Sequence, residues 1–465
     1  MRARTEFRMR VLLVSANREL LPSPVVPLGV LSVAGAVRDV HQVRVLDLCF
    51  ERDPHLALQT AIAEHVPDVV GFGIRNLRTN AYDGMERLIT EYAALVATAR
   101  GCTSAKIVLG GAGFSLQPTG LLERLGADHG IVGEGERAFA ALVDQLARGE
   151  QPERLIHGAG VTLSEGVVRV RTSKIRSDLD LLPKPARDLT DPRYFVFDGT
   201  ANVQTKRGCA FQCTYCDYPD LEGRRVRVRV PDDIADELVS LARTPQVTHA
   251  FFVDSVFNVP PAHARATCEA IVARGAPLPW VCYASPVALD DELVASMARA
   301  RCVGAEIGTD TGTPSMLRRL RKPFSLDDVL AARESFLRHD ILDCHTFVLG
   351  AEDETVDEAH ETLRFVERLD PDVAVFIVFM EDRESLTVHR ARHREALLAL
   401  LSREALRRPG WVVPELGIRF GEKVTNVVRR NGIRGPAWLW LARQRRIDRA
   451  AERAELARAV GGLVA

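Results

Sequence analysis

Short apolar runs alternate with longer amphipathic stretches over the first 150 residues of the chain. The apolar runs are rich in β-branched residues, which is typical of buried strands. Between them, apolar residues recur at the spacing of one helix face. Strands that alternate with helices in this way predict a parallel, doubly wound α/β sheet. The predicted strands cover residues 10–16, 42–48, 68–74, 106–110 and 129–132, and the predicted helices cover residues 28–38, 55–64, 82–100 and 136–148.

The same alternation returns after residue 200, where six strand–helix units follow one another. Six units are too few for the closed eight-stranded barrel that such a pattern can build. The strands are predicted at residues 202–205, 248–253, 280–283, 303–307, 344–349 and 373–379, and the helices at residues 232–243, 262–273, 290–299, 325–337 and 355–369.

A hairpin and a proline-broken linker are predicted between these two blocks. Residues 160–164 and 167–171 read as two strands on either side of Glu165 and Gly166. Residues 179–188 contain two closely spaced prolines and form the linker. We therefore expect an N-terminal domain over residues 1–150, a hairpin and linker over 151–200, a barrel over 201–400 and a small helical region over 401–465.

Composition narrows the class of protein. The chain has 465 residues, of which 46% are hydrophobic, and this is enough for two or three domains with their own cores. A net charge of −1 gives no general affinity for nucleic acids. Nine scattered cysteines do not look like a secreted disulfide framework, and no apolar run reaches the ~18 residues of a membrane span. We expect a cytoplasmic protein with no nucleic-acid partner and no membrane partner.

The C-terminal region has more Lys and Arg than Asp and Glu between residues 403 and 458. Either an anionic partner or a helical cap with a solvated basic face explains this excess. Trp411, Trp438 and Trp440 indicate packing, and therefore favour the cap.

Three cysteines on one short segment give the strongest chemical signal. Cys209, Cys213 and Cys216 are spaced C-x3-C-x2-C, and Tyr215 stands directly before the last of them. Three thiolates on one loop can bind three irons of a [4Fe–4S] cluster and leave the fourth iron open to a ligand. A zinc site instead prefers four ligands, usually from C-x2-C pairs, and the sequence shows no partner pair.

This loop resembles the signature of the radical S-adenosylmethionine (SAM) superfamily. The resemblance implies that the three cysteines hold the cluster, that Tyr215 belongs to the cofactor site, and that the open iron binds SAM. The core of that superfamily is an open (β/α)6 partial barrel, which agrees with the six units after residue 200. A cluster with an open iron also needs a reducing compartment, and this again favours the cytoplasm.

Glycine-rich segments punctuate the N-terminal domain where a ligand is expected. Ligands of doubly wound sheets bind at the carboxyl ends of the strands, and glycine lets the backbone approach them closely. A nicotinamide dinucleotide site would place G-x-G-x-x-G after the first strand, but residues 15–18 read Ser-Ala-Asn-Arg. The glycine-rich segments are residues 27–29, 71–76, 110–113 and 133–136.

These segments resemble, in their order, those of the cobalamin-binding domain of class B radical SAM enzymes. The chain lacks the D-x-H-x-x-G motif of many cobalamin proteins, so the resemblance implies cobalamin without a protein histidine below the cobalt. It assigns cobalamin binding to Pro27, Leu28, Gly29, Asp47, Gly73, Arg75, Asn76, Gly110, Gly111, Gly133, Glu134 and Gly135.

Arg75 ends the third predicted strand, where the resemblance places the lower face of the corrin ring. A guanidinium does not give up its proton, and it therefore cannot ligate a metal. It can exclude a ligand from the cobalt and favour release of the methyl group, which makes Arg75 a candidate catalytic residue beside the three cysteines. The alternative is a structural contact with a corrin amide or a nearby acid.

The resemblance also implies SAM contacts at later strand ends. Asp254 is expected to accept a hydrogen bond from the methionine amino group, with capping of the next helix as the alternative. Glu306 suits the ribose hydroxyls, and Gly350 lies in a turn expected beside the adenine, although residues 351–353 depart from the family's pattern. Residues 379–386 replace the turn that many relatives have after the sixth strand, and form either a substrate-binding segment or a solvated loop.

The resemblance implies a cobalamin-dependent radical SAM methyltransferase that moves a methyl group from SAM, via methylcobalamin, to a carbon of a small molecule such as a secondary metabolite. Its cofactors would be a [4Fe–4S] cluster, SAM and cobalamin, with flavodoxin or ferredoxin as electron donor. Radical and polar routes of methyl transfer both stay open. One alternative is a cyclase or ring-rearranging enzyme with the same cofactors. The other is a non-catalytic SAM- and cobalamin-binding regulator, against which the intact cysteine triad argues.

Overall fold

The computed structural model describes residues 8–21, 23–77, 85–158, 161–164, 167–170, 179–379, 388–419 and 422–461. Its first unit is a sheet of six parallel strands with helices on both faces. The strands are β1 (Arg10–Ser15), β2 (Gln42–Asp47), β3 (Val69–Gly73), β4 (Lys106–Gly110), β5 (His129–Val132) and β6 (Leu155–His157). The helices are α1 (Leu28–Val37), α2 (Pro54–His65), α3 (Met85–Cys102), α4 (Ala112–Leu116), α5 (Pro118–Arg124) and α6 (Gly135–Ala147). The sequence predicted all of these elements except β6, α4 and α5.

The burial of both sheet faces explains why the strands read as continuous apolar runs. Successive residues of a strand point to opposite faces, so Val11 and Leu13 pack with α1 and α6 while Leu12 and Val14 pack with α2 and α3. The strand order is β2-β1-β3-β4-β5-β6. The chain reverses its winding between β1 and β3, where Ser15 pairs with Gly73. In doubly wound sheets this point opens a crevice at the carboxyl ends of the strands, and ligands bind there.

A hairpin and a linker follow the first sheet, as predicted. Strand β7 (Val161–Ser164) pairs antiparallel with β8 (Val167–Val170), whereas Glu165, Gly166 and Arg171 lie outside the described residues. The linker forms two 3-10 turns and the short helix α7 (Arg193–Phe197). In the second 3-10 turn, Arg187 donates to the carbonyl oxygen of Asn202 at 2.7 Å and pairs with Glu237. These bonds dock the linker on the second unit.

The second unit is an open sheet of seven parallel strands flanked by helices. Its strands are β9 (Thr200–Val203), β12 (His249–Phe252), β13 (Trp280–Ala284), β14 (Cys302–Asp310), β15 (Leu342–Leu349), β16 (Val373–Val378) and β17 (Trp411–Val412), and a separate ribbon pairs β10 (Lys206–Arg207) with β11 (Arg227–Val228). Its helices are α8 (Tyr218–Glu222), α9 (Pro231–Ala242), α10 (Pro261–Ala273), α11 (Asp291–Arg299), α12 (Pro314–Arg319), α13 (Leu326–Arg338) and α14 (Val356–Leu369).

The strand order in this sheet is β9-β12-β13-β14-β15-β16-β17, which leaves the barrel open. The first six strands match the six predicted units. The seventh, β17, was not predicted, because two residues are too few to show a strand period. It joins the sheet by pairing Trp411 with Ala374 and Val412 with Val375.

Three helices complete the chain: α15 (Val388–Leu406), α16 (Glu422–Arg430) and α17 (Ala437–Gly461). Helix α17 packs Trp438 and Leu439 against the barrel strands. Two of its arginines, Arg446 and Arg449, pair with the buried Asp372 at 2.7 and 3.1 Å. Part of the basic excess therefore binds acids of the barrel itself, which supports the predicted cap. None of the helices in the described ranges is long and apolar enough to cross a membrane.

Candidate functional site

A cavity of about 820 Å³ lies between the two units, at the carboxyl ends of strands from both sheets. This volume is in the range of cofactor and small-molecule sites. Residues of the N-terminal wall include Pro27, Leu28, Gly29, Gly73, Arg75, Asn76, Gly110, Gly111, Gly133, Glu134 and Gly135. Residues of the opposite wall include Tyr218, Phe251, Val253, Tyr283, Glu306 and Trp438. Except for Asp47, the structure brings together every residue that the sequence assigned to cobalamin.

Two positions of the N-terminal wall have no room for a Cβ unless a neighbouring group moves. Gly111 has a φ of +100°, and a Cβ there would lie 2.5 Å from the carbonyl oxygen of Ile74. A Cβ at Gly73 would lie 2.6 Å from Cγ2 of Val30. At Gly29, in contrast, nothing lies within 4 Å of the position of a Cβ, so the backbone borders open space. The wall is thus a backbone cradle that a large planar group can approach, and it fits cobalamin.

Arg75 lies on this wall with its side chain exposed to the cavity. It makes no hydrogen bond or ion pair with the residues that the structure describes. Burial raises the pKa of Tyr218 and of Tyr283, and the positive charge of Arg75 opposes that rise at both hydroxyls. The guanidinium therefore faces the opposite wall across the cavity. No histidine is found among the described residues that line the cavity.

The cysteine loop begins directly after β10 and returns to the paired strand β11. Cys209, Cys213 and Cys216 are free and half-buried. Burial raises the pKa of Cys216 to about 11, and the neighbouring thiols of Cys213 and Cys209 add to this rise, so the three groups lie close together. Two backbone bonds hold the loop, from Cys209 N to Gly223 O at 3.0 Å and from Thr214 N to Leu320 O at 3.2 Å.

This donor set suits a cluster better than a single ion. In the part of the chain that the structure describes, no three His, Cys, Asp or Glu side chains converge on a point where one metal ion could bind. A [4Fe–4S] cluster places each thiolate on a different iron, so its ligands do not need to meet at one point. Three free thiols on one closed loop, with no fourth cysteine on that loop among the residues the structure describes, therefore fit the predicted cluster.

Tyr215 is anchored beside the cysteines and does not belong to the described cavity wall. Its hydroxyl donates to Asp310, which also pairs with Lys322 at 2.5 Å. The ring packs near Val348 and Ala351, at the end of β15. The predicted place of Tyr215 in the cofactor site stays a prediction. Sequence reasoning missed Asp310 and Lys322 as the groups that anchor Tyr215.

Asp254 is buried and bound to the backbone before the cysteine loop, and its predicted contact with SAM stays a prediction. The side chain is 1% exposed and lies outside the described cavity wall. One carboxylate oxygen accepts from the backbone N–H groups of Thr205 at 2.6 Å and Lys206 at 3.1 Å, and the other accepts from the Thr205 hydroxyl at 2.5 Å. The alternative as a helix cap is wrong, because Pro260 precedes α10. Asp254 instead fixes the segment that leads into the cysteine loop.

Gly350 lies in the turn after β15, with a φ of +82°. Its N–H donates to a carboxylate oxygen of Glu354 at 2.6 Å, and this bond closes the turn. The turn is not part of the described cavity wall, so its contact with adenine stays a prediction. Residues 380–386 of the segment after the sixth strand lie outside the described residues.

Ion pairs across the interface join the cobalamin wall to the cysteine loop. Arg207, two residues before Cys209, pairs with Glu136 at 2.5 Å and with Glu134 at 3.4 Å, and Arg227 also pairs with Glu134. Burial raises the pKa of Glu136, but the charge of Arg207 and its hydrogen bond bring that pKa below its ordinary value. The carboxylate of Glu134 is thus bound to arginines of the second unit. The glycines on either side of it keep the predicted place beside the cofactor.

Asp47 is the one predicted cobalamin residue that the structure places elsewhere. Its oxygens accept from the N–H of Cys49 and from the hydroxyl of Tyr194, both at 3.0 Å. Tyr194 belongs to the linker helix α7, so Asp47 ties the first sheet to the linker. Burial raises the pKa of Asp47 to about 6, above the ordinary value of 3.8, while both hydrogen bonds lower it.

We expect Asp47→Asn to change the pH dependence of stability. Because the pKa of Asp47 is raised in the folded state, the folded protein keeps a proton on Asp47 that the unfolded chain has already released. The free energy of unfolding therefore falls as the pH rises from about 4 to about 6. Asparagine does not titrate; its amide oxygen still accepts from the N–H of Cys49, and its amide nitrogen donates to the Tyr194 hydroxyl, which then accepts. Relative to the native protein, the variant should gain about 3 kcal/mol between pH 4 and pH 7, measured by urea unfolding. A stability difference that does not change with pH would contradict this.

Two family profiles match the chain. The profile of the B12 binding domain matches residues 15–143, and that of the Radical SAM superfamily matches residues 203–366. The first match contains the glycine-rich wall, and the second contains the cysteine loop and most strands of the second sheet.

Curated relatives include several methyltransferases. An uncharacterised methyltransferase of Pyrococcus horikoshii is 24% identical over 380 residues, which cover 80% of this chain and 80% of the relative. The tryptophan 2-C-methyltransferase of Streptomyces laurentii is 28% identical over 337 residues, which cover 59% of this chain and 55% of that enzyme.

A solved structure shows the same fold over nearly the whole chain. The radical SAM methyltransferase of Kitasatospora setae with cobalamin and a [4Fe–4S] cluster bound has a TM-score of 0.79 at 21% identity, and covers 97% of this chain and 100% of that one. The structure with tryptophan substrate and a SAM analogue bound has a TM-score of 0.67 at 26% identity, and covers 79% of this chain and 72% of that one.

Proposed function

Because the chain belongs to the class B, cobalamin-dependent radical SAM enzymes and is a C-methyltransferase among them, we propose that it methylates a small molecule held in the cavity between its two units. Its cofactors are a [4Fe–4S] cluster, SAM and cobalamin. The observation that supports this most is the shared cavity, which has the cobalamin cradle on one wall and elements next to the cysteine loop on the other.

When bound, cobalamin carries the methyl group from SAM to the substrate, and the cluster with SAM supplies electron or radical chemistry. The residues of this chain bind, orient and enclose these groups. The corrin ring would lie on the backbone cradle that includes Gly29, Gly73 and Gly111. Cys209, Cys213 and Cys216 hold the cluster, and Asp254 with Arg207 fixes the segment before it. Methyl transfer requires that the cofactors and the substrate are held at fixed positions relative to one another. The ion pairs from Arg207 and Arg227 to the cobalamin wall fix the two units in this way.

We expect Arg75→Ala to keep cobalamin but to transfer methyl groups about ten- to a hundredfold more slowly, a loss of about 1.4–2.7 kcal/mol of transition-state stabilisation. The reason is that the positive charge of Arg75 on the cavity wall would repel a bound methyl donor that carries positive charge, and would thereby favour release of the methyl group. Arg75→Lys keeps the charge and should be slowed less. Rates are measured as S-adenosylhomocysteine formed with tryptophan, the ligand of the Kitasatospora enzyme, as the first acceptor to test.

The control for Arg75 is Arg87→Ala, which removes an exposed arginine of α3 that pairs with Glu91. This variant should match the native rate. Unchanged turnover in Arg75→Ala, or a loss of cobalamin from it, would leave Arg75 with a structural role only.

Mass spectrometry with SAM that carries a trideuterated methyl group tests the proposed function. A product heavier by one labelled methyl group supports C-methylation. A rearranged product without the label would favour a cyclase or ring-rearranging enzyme. If neither S-adenosylhomocysteine nor 5′-deoxyadenosine is formed, the result favours a non-catalytic regulator. One 5′-deoxyadenosine per product indicates the radical route, and its absence indicates the polar route.

The remaining parts of the proposal follow from the chemistry of the cofactors. Reduction of the cluster or of cobalamin needs a one-electron donor such as flavodoxin or ferredoxin, and it needs a reducing compartment, which we propose to be the cytoplasm. No nucleic acid is proposed as a partner. The boundaries at residues 150, 200 and 400 stay predictions, and limited proteolysis of the full chain tests them.

A further inference from the structure

Two large aromatic side chains are exposed to the cavity instead of being packed in a core. Tyr218 is 43% exposed and Tyr283 is 40% exposed, and both line the wall opposite to Arg75. The ring of Tyr283 packs edge-to-face against Phe251, which lines the same wall, with ring centroids 5.0 Å apart at an interplanar angle of 67°. An aromatic ring that is held by a neighbouring ring and exposed to a cavity is suited to stacking against a planar ligand.

A carboxylate stands beside these rings. Glu306 lines the same wall of the cavity, and one of its carboxylate oxygens accepts from the indole N–H of Trp438 at 2.6 Å. Trp438 is buried in the core between the barrel and α17, so it holds the carboxylate in one orientation. No other described residue donates to Glu306. Its second oxygen is therefore available to a donor on a ligand in the cavity.

The position of this group relative to the cofactor sites is defined by its neighbours. Tyr218 begins α8, two residues after Cys216, and lines the same cavity as Arg75. Tyr283 and Glu306 are paired on the neighbouring strands β13 and β14, and both line that cavity. The two rings and the carboxylate thus lie between the cluster loop and the cobalamin wall. A substrate that receives a methyl group from cobalamin must bind in that space.

We propose that Tyr218, Tyr283 and Glu306 form the substrate subsite, and that it takes a planar aromatic ring with an N–H or O–H donor that bonds to Glu306. This inference rests on the proposed function and adds the substrate class to it. The carboxylate disfavours a substrate that presents an anionic group at this point, because two like charges would be buried together. The expected contact replaces the predicted bond of Glu306 to the ribose of SAM.

Equilibrium dialysis against indole and 1-methylindole tests the subsite in protein reconstituted with cluster and cobalamin. The two probes stack alike, but only indole donates a hydrogen bond. Burial raises the pKa of Glu306 to about 7, so dialysis is carried out above about pH 8, where Glu306 is ionised. Indole should then bind at least about tenfold more tightly, because a hydrogen bond to a charged acceptor is among the stronger ones. Glu306→Gln should abolish this difference while the fold is kept. Trp438 still bonds to the amide oxygen, and the remaining amide group is then a donor that cannot accept from indole.

Two further variants separate stacking from hydrogen bonding. Tyr283→Leu should weaken both probes alike, whereas Tyr283→Phe should bind them as the native protein does. Glu395→Ala, at an exposed site on α15, is the control and should change neither affinity.

Several outcomes would overturn the subsite. These are equal affinities of the native protein for the two probes, no measurable binding of either, or a Glu306→Gln variant that binds SAM more weakly while its preference for indole is unchanged. The last result would support the contact between Glu306 and the ribose hydroxyls of SAM that the sequence predicted. Bound cobalamin is quantified in the same samples. A full equivalent of cobalamin without discrimination between the probes overturns this inference alone, while a protein that binds no cobalamin overturns the proposed function.

Discussion

Cys213→Ala is expected to abolish both cluster assembly and SAM-dependent turnover. The structure offers three thiols on one closed loop and no fourth cysteine beside them, so the loss of one leaves two ligands for a cluster that needs three. After anaerobic reconstitution the native protein should bind about four irons per chain, and the variant less than about one. Formation of S-adenosylhomocysteine and of 5′-deoxyadenosine should both fall below detection.

Cys102→Ala is the matched control, because Cys102 is a free cysteine that is exposed on the surface. It should keep the native iron content and activity. If Cys213→Ala, or the triple replacement of Cys209, Cys213 and Cys216, still binds about four irons per chain, the cysteine triad is not the cluster site.

Asp254→Asn is expected to destabilise the second unit by about 3–5 kcal/mol, the range found when one partner of a buried charge pair is removed. The charge of Asp254 offsets the burial of the Lys206 ammonium more than any other acidic group does, and Asp254 accepts three hydrogen bonds from the segment before the cysteine loop. Asparagine keeps the shape but removes the charge. All four tryptophans follow residue 279, so their fluorescence during urea unfolding reports on this unit.

Asp188→Asn provides the control for this experiment. It removes one carboxylate from an exposed pair with Arg38, and such pairs contribute about 0–1 kcal/mol. A stable Asp254→Asn protein with weakened SAM binding would instead support the contact that the sequence predicted, and would refute the structural role.

The strands and the glycine-rich ligand wall could be predicted because their signals are local. Both faces of β1 and β3 are buried, so their apolar runs are uninterrupted. A Cβ would meet the backbone of Ile74 at Gly111 and the side chain of Val30 at Gly73. The cysteine spacing is equally local.

The roles of Asp254, Asp47 and Glu134 could not be predicted, because each depends on a partner far along the chain. Asp254 bonds to Thr205, Asp47 to Tyr194, and Glu134 to Arg207 and Arg227. Because these carboxylates stand at strand ends, the sequence predicts that they lie near the site. It does not show which partner each side chain contacts. The pairing of Glu306 with Trp438 is likewise visible only after α17 has folded onto the barrel.

Electron paramagnetic resonance of the protein loaded with cob(II)alamin tests the central claim most directly, that the cavity binds cobalamin in a cradle without histidine and beside Arg75. Protein uniformly labelled with ¹⁵N is compared with unlabelled protein, because only a protein nitrogen on cobalt changes its splitting pattern with the label. We expect about one cobalamin per chain with no splitting from a protein nitrogen, in either sample. A splitting that changes between the two samples would show a protein nitrogen ligand and would contradict the account.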